Sequence, residues 1–138
     1  MKKLLYLFIA STILFSCTTN DDDNSSDPII GIWQLSSETE NGTDTSTSCE
    51  RKSTVTFLEN GTFNSTSFYD DGNGCMSESD GAANWENTGQ SNYLLDFGDN
   101  DTSTTKITFS ENNTVFSFTD IDDYNGTTIT YISTFKKL

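Results

Sequence analysis

From Ile29 to the last residue, no window of eleven or more residues repeats apolar positions at i, i+3, i+4 and i+7. That absence constrains the fold more than any single motif, because an amphipathic helix needs this repeat to bury a stripe against a core. What stands in its place is alternation. In Ser53-Thr54-Val55-Thr56-Phe57-Leu58, Val55 and Phe57 share one face, with threonines opposite. Thr105, Ile107 and Phe109 alternate in the same way, as do Ile129, Tyr131, Ser133 and Phe135. Successive side chains of a strand point to opposite faces, so each run makes one apolar and one polar face. Thr, Tyr, Phe and Ile suit such a half-buried, pleated surface.

Eight strands are expected, at Ile30–Thr39, Ser53–Leu58, Thr62–Tyr69, Ala83–Thr88, Asn92–Phe97, Thr104–Phe109, Thr114–Thr119 and Thr127–Phe135. The connections read as hairpins. Asn60-Gly61 and Asn125-Gly126 carry the strongest short-range hairpin signal, since both residue types tolerate positive φ, and Glu111-Asn112-Asn113 plays the same part. TFLENGTF (56–63) and TFSENNTVF (108–116) are close variants, either a duplication or one turn solution used twice. The segments 40–52 and 70–81 read as polar loops. Short strands in sequential hairpins, without a crossover helix, predict an all-β fold: an eight-stranded antiparallel up-and-down meander closed into a barrel, because closure removes exposed edges.

The N-terminus sets where such a domain would live. Lys2 and Lys3 precede an apolar stretch, Leu4–Phe15, that is too short for a permanent membrane span but has the make-up of a secretory signal. Leu14-Phe15-Ser16-Cys17 resembles the lipobox of bacterial lipoproteins, in which the signal is cut before the cysteine and that cysteine is acylated. The resemblance implies three parts: a cleaved signal peptide at 1–16, lipidated Cys17 with an acidic flexible tether at 17–28, and a folded domain at 29–138. Several acyl chains would anchor the protein stably. The alternative is an ordinary signal peptide with an incidental cysteine. Thr18–Asp27 has no apolar residue and four aspartates, which keeps it from collapsing onto a core. An acidic run after the cysteine also resembles the export signal of surface-displayed lipoproteins of some Gram-negative bacteria; the alternative is a solvated linker without an address. The location implied is the bacterial cell envelope, as an outer-membrane lipoprotein.

Composition narrows the chemistry. The net charge of −14 becomes −16 once Lys2 and Lys3 are removed, which argues against a nucleic-acid partner, whose binding needs clustered cations. With Cys17 assigned to lipid, Cys49 and Cys75 remain as a pair in an oxidising compartment, where a disulfide is expected. The chain has no histidine, so neither a nucleophile–histidine arrangement nor a histidine metal helix can be built. No enzyme activity, cofactor or metal site is expected. Asp-rich turns at 98–101 and 120–126 cluster oxygen ligands of the kind calcium favours, but the second has Tyr124 and Tyr131 where an EF-hand places ligands, and solvated turn carboxylates account for both.

Gly31-Ile32-Trp33-Gln34-Leu35 resembles the opening strand of lipocalins and of the lipocalin-like domains found behind bacterial lipoprotein signals. Cys49-Glu50-Arg51-Lys52, then Thr56-Phe57 with Asn60-Gly61-Thr62-Phe63, Cys75, Ala83-Asn84-Trp85 and the closing Thr134-Phe135-Lys136-Lys137 follow in the order of that family. The resemblance implies a lipocalin-like barrel with Gly31 and Trp33 as the family motif and Trp33 packed at the closed end. It departs from lipocalins in its short strands and in lacking a C-terminal helix, and both weigh against a roomy cavity. Two functions stand side by side. One is a membrane-anchored, non-catalytic binding module for a small apolar or amphipathic ligand, contacted at the mouth by Tyr69, Tyr93 and Tyr131. The other is a barrel filled by its own aromatic side chains, a scaffold meeting an envelope protein or a glycan through its loops.

Overall fold

The computed structural model describes residues 26–138. The lipid-bearing role read for Cys17, the signal peptide at 1–16 and most of the tether at 17–28 lie outside the described residues. The alternating runs become eleven antiparallel strands: β1 (Gly31–Glu40), β2 (Thr43–Asp44), β3 (Thr54–Phe57), β4 (Thr62–Asp70), β5 (Cys75–Ser79), β6 (Ala83–Gly89), β7 (Asn92–Gly98), β8 (Asp101–Lys106), β9 (Thr108–Ser110), β10 (Val115–Tyr124) and β11 (Thr127–Lys137). A 3₁₀ turn, Glu50–Lys52, leads into β3.

The main path of the sheet runs β8-β7-β6-β4-β3-β1-β11-β10-β9, with β2 added to β1 and β5 to β4. Pairing of β1 with β11, from Trp33 opposite Lys137 to Glu40 opposite Tyr131, joins the first strand to the last. The two ends of the path, β8 and β9, are separated only by Ile107. The ladder nevertheless does not close. β8 pairs only with β7, and β10 beyond Ser117 pairs only with β11, so two unpaired edges diverge from Ile107. Asp101 on one edge and Asp120, Asp122 and Asp123 on the other blunt them, since edge charges discourage strand addition.

The expected count of eight strands and the closed barrel are therefore corrected to eleven strands in an open, curled sheet, for two physical reasons. First, the stretches read as polar loops contain short hairpin strands. Asn41-Gly42 folds β2 back on β1, and β5 lies against β4. Every residue of β2 and β5 is exposed, so neither carries an apolar alternation. Second, the strand expected at Thr104–Phe109 is split. The Ile107 N–H bonds the Ser91 carbonyl in the β6–β7 turn at 2.8 Å while its side chain is buried. Beyond that residue the chain leaves β7 and joins β10.

Turn chemistry fixes the register. Asn41-Gly42, Gln90-Ser91, Asp99-Asn100 and Asn125-Gly126 each take positive φ at both positions, the backbone that matches the twist of two-residue hairpins. Asn60-Gly61 works differently. Only Gly61 is left-handed, at φ 80°, while the Asn60 side chain accepts hydrogen bonds from the Thr62 N–H and hydroxyl. At Gly31, φ is 139°, a backbone conformation that side-chain-bearing residues rarely adopt, so this position of the motif favours glycine.

The core gathers at the end where the chain enters the sheet. Ile29, Trp33, Phe57, Phe63, Ala83, Tyr93, Ile107 and Phe116 form one buried cluster. Trp33 is 0 % exposed, and its indole N–H donates to the Ile29 carbonyl at 2.6 Å. Phe116 meets its ring edge-on at 4.7 Å, and Lys137 Nζ lies 5.0 Å over it. Asp27 fastens this end. Its carboxylate accepts from the Ile29 N–H (3.0 Å), the Tyr93 hydroxyl (2.8 Å) and Asn87 Nδ2 (2.6 Å). Asp27 was expected in the tether, yet these bonds make it part of the folded unit.

Candidate functional site

Above the Trp33 cluster the interior opens into a cavity of about 350 Å³. Phe57, Phe63, Ile107 and Phe116 form its floor, and Val55, Leu95, Phe97, Phe118 and Phe135 its walls. Its only polar lining residues are Ser103 and Thr105 of β8. The aromatic rings brace one another: Phe116 stacks on Phe135 at 4.9 Å, Phe118 on Phe135 at 6.1 Å, and Phe63 meets Phe97 edge-on at 5.6 Å.

The void has a local cause. Alternation along β7 and β8 puts Leu95 across from Ser103 and Tyr93 across from Thr105. The inward positions of β8 thus carry two small hydroxyl side chains, where β7 beside it carries Tyr93, Leu95 and Phe97. No strand pairs with the free edge of β8 to fill the difference. The expectation that aromatic side chains fill the interior holds around Trp33 and fails next to β8. Phe97, at the upper edge of the cavity, is 53 % exposed, an apolar side chain left to water at the entrance of an apolar space.

The three tyrosines expected at the mouth are not brought together, and none of them lines the cavity. Tyr93 is 1 % exposed among the core residues, its hydroxyl tied to Asp27. Burial, and then the hydrogen bond and charge of Asp27, push its phenol well above the usual tyrosine range. Tyr69 stands exposed on the β4–β5 hairpin opposite Met76. Tyr131 shares the inner face with Phe135, two inward positions further along β11, and is half-buried between Glu40 and Asp120 of the neighbouring strands. Leu95, Phe97, Phe118 and Phe135 take the place assigned to them. A signal for these residues did exist: Leu95 and Phe97 continue the alternation of Tyr93, and Phe118 that of Phe116.

On the inner face above the lining residues the chemistry changes sign. Asp120 lies two residues beyond Phe118, and Asp101 two residues before Ser103, on the same faces as those lining residues. Glu38 pairs with Ser133 of β11 and takes a hydrogen bond from its hydroxyl at 3.4 Å. Glu38 also lines a smaller recess of about 190 Å³ with Leu35, Ser46, Glu50, Ser53 and Phe68.

The loop beside that recess is ordered by its own polar groups. The Thr47 N–H donates to Glu50 (2.7 Å) while the Glu50 N–H donates to the Thr47 hydroxyl (3.2 Å), the reciprocal pattern of a capping box. Arg51 bridges to Asp44 at 2.7 Å and donates to Ser46. Hydrogen bonds from Ser46, followed by the charge of Arg51, hold the Asp44 carboxyl below its usual range. Cys49 and Cys75 form a disulfide, with Cα atoms 5.5 Å apart. It fastens this loop to the β4–β5 hairpin, as the pairing of the two cysteines predicts.

No curated protein matches the chain. The family model of a lipocalin-like domain matches residues 29–116, from Ile29 under the Trp33 ring to Phe116 on the cavity floor. An antiparallel sheet curled around an apolar interior, opened by Gly31 and Trp33, agrees with that match, and the chain belongs to the lipocalin-like domain family.

Proposed function

We propose that this protein is a membrane-anchored, non-catalytic binding module of the bacterial envelope, holding a small apolar or amphipathic molecule in the cavity above Trp33. The observation that carries the reading is the cavity itself, about 350 Å³ and lined by aromatic and aliphatic side chains with two hydroxyls. Binding sites for small molecules are concave, mostly apolar and furnished with a few polar groups that orient the ligand. At about 30 Å³ per water-sized group, the space suits roughly ten heavy atoms of a ligand. The lining contains no acid, base or nucleophile beyond the hydroxyls of Ser103 and Thr105, which supports retention of a molecule rather than its conversion. Attachment through Cys17 and export to the outer membrane rest on Leu14-Phe15-Ser16-Cys17 and the aspartates that follow.

Native mass spectrometry of the exported whole chain carrying Cys17→Ala tests the cavity. The expected result is a species heavier than the disulfide-bonded polypeptide, losing a small apolar mass on activation. A bare polypeptide that also fails to take up decanol on titration would overturn the reading. Fractionation tests the anchor: Cys17→Ala should release the protein from membranes, and retention there would overturn the lipoprotein assignment.

A further inference from the structure

The electrostatics around the cavity select among the amphipathic molecules that could enter it. Every lining residue is uncharged. On β8 and β10 the inner-face positions next above the lining are carboxylates, Asp101 and Asp120, and Glu40 of β1 stands in the same row as Asp120, both opposite Tyr131. Glu38, one row lower opposite Ser133, lines the neighbouring recess instead.

Five cationic side chains belong to the described residues, and each is placed elsewhere. Lys137 lies over Trp33 at the opposite end and reaches the Pro28 carbonyl. Lys136 and Lys106 are exposed and carry the opposite strand parity to the lining residues Phe135 and Thr105. Arg51 is held by Asp44, and Lys52 is exposed on the 3₁₀ turn next to Glu50. A mouth of one charge sign over a low-dielectric interior concentrates its field on whatever enters. A carboxylate head would meet like charge without a cationic partner, and burying it unpaired is costly.

Resting on the cavity reading above, we infer that this site takes an amphiphile with a cationic head, an ammonium-type group on an apolar body of roughly ten carbons, and discriminates against the matching carboxylate. The apolar body lies among Phe57, Phe63, Phe116 and Phe135. The head stands at the level of Asp101, Asp120 and Glu40, with the Ser103 hydroxyl below it. Because the three carboxylates face water on one side, salt weakens the preference.

The test is isothermal titration of the whole chain carrying Cys17→Ala with three probes of equal chain length: decylammonium, decanol and decanoate, at low and at physiological salt. Decylammonium should bind about tenfold or more tighter than decanoate, with decanol between them, and the ratio should shrink as salt rises. Asp101→Asn combined with Asp120→Asn, both at exposed positions, should bring the two charged probes to within a few-fold while leaving decanol unchanged. Equal binding of the charged probes, tighter binding of decanoate, or an unchanged ratio in the double variant would overturn the inference while leaving the cavity reading intact. Failure of decanol together with both charged probes would overturn the cavity reading itself.

Discussion

The two ends of the interior are built from the same alternating strands, yet one is solid and the other hollow. At the Trp33 end the buried cluster is made almost wholly of large side chains, with Ala83 the exception, and Asp27 and Ile29 fold across to seal it. At the β8 end, serine and threonine occupy the inward positions opposite Leu95 and Tyr93, and the ladder stops pairing. The comparison teaches that a small curled sheet gains a binding space by omission. A single strand of small residues, left unpaired on one edge, suffices to open a void in a sheet otherwise rich in aromatics. The filled end then bears the stability that the hollow end gives up.

The widest separation between the two ends should come from truncating one aromatic at each. Trp33→Ala removes the centre of the sealed cluster and should lower stability by about 3–5 kcal/mol, the range for large aromatic deletions in close-packed sites. Phe97→Ala, at the rim and more than half exposed, should cost less than about 1 kcal/mol. Urea unfolding of both variants checks the contrast. Similar losses would mean that the hollow end contributes to folding as much as the sealed one.

How much of this was legible in the sequence follows the same division. Trp33, Phe57, Phe63, Phe109 and Phe135 announce themselves by alternation, because burial of one face forces a period of two on the chain. The asparagine–glycine turns do so by backbone chemistry. The antiparallel sheet and the Cys49–Cys75 bridge were therefore readable. β2 and β5 were not, since every residue of both is exposed and neither carries the alternation that burial imposes. The cavity was hidden for a different reason. It depends on which residue stands across from which, Ser103 against Leu95 and Thr105 against Tyr93, and that register is fixed by turns and by the strand switch at Ile107.

Tyrosines are natural candidates for a wet aromatic rim, being apolar bodies with polar tips. For Tyr93 that logic failed because its partner, Asp27, sits in a stretch whose composition reads as a tether.

A smaller effect probes the seal through its titration. Tyr93→Phe removes the bond to Asp27 and should cost about 1–2 kcal/mol near neutral pH, as for a hydrogen bond to a charged partner. The folded phenol titrates above its ordinary value of 10.0, chiefly through burial and then through Asp27. A group raised in this way contributes its full stability below the unfolded value and loses it as pH climbs through the folded one. The native chain should therefore lose stability more steeply above pH 10 than Tyr93→Phe does, and the two curves should approach each other. Parallel curves in denaturant titrations between pH 8 and pH 11 would show that Asp27 and Tyr93 do not act as the fastening of the closed end.

The smallest change in stability should accompany the largest change at the hollow end. Ser103→Leu combined with Thr105→Ile places branched apolar side chains on the strand face that leaves the void. The space of about 350 Å³ accommodates them without displacing the phenylalanine floor, so the overpacking cost of filling a tight core does not arise. Isoleucine suits a strand as well as threonine does, and the added apolar contact offsets the partial burial. Stability should then move by about 1 kcal/mol or less, in either direction. Uptake of decanol, by contrast, should fall at least tenfold, since the ligand and the new side chains claim the same volume. Stability held while binding is lost would locate the site against β8. Binding retained in the filled variant would mean that the ligand sits elsewhere, with the recess beside Leu35, Glu38 and Phe68 the next place to mutate.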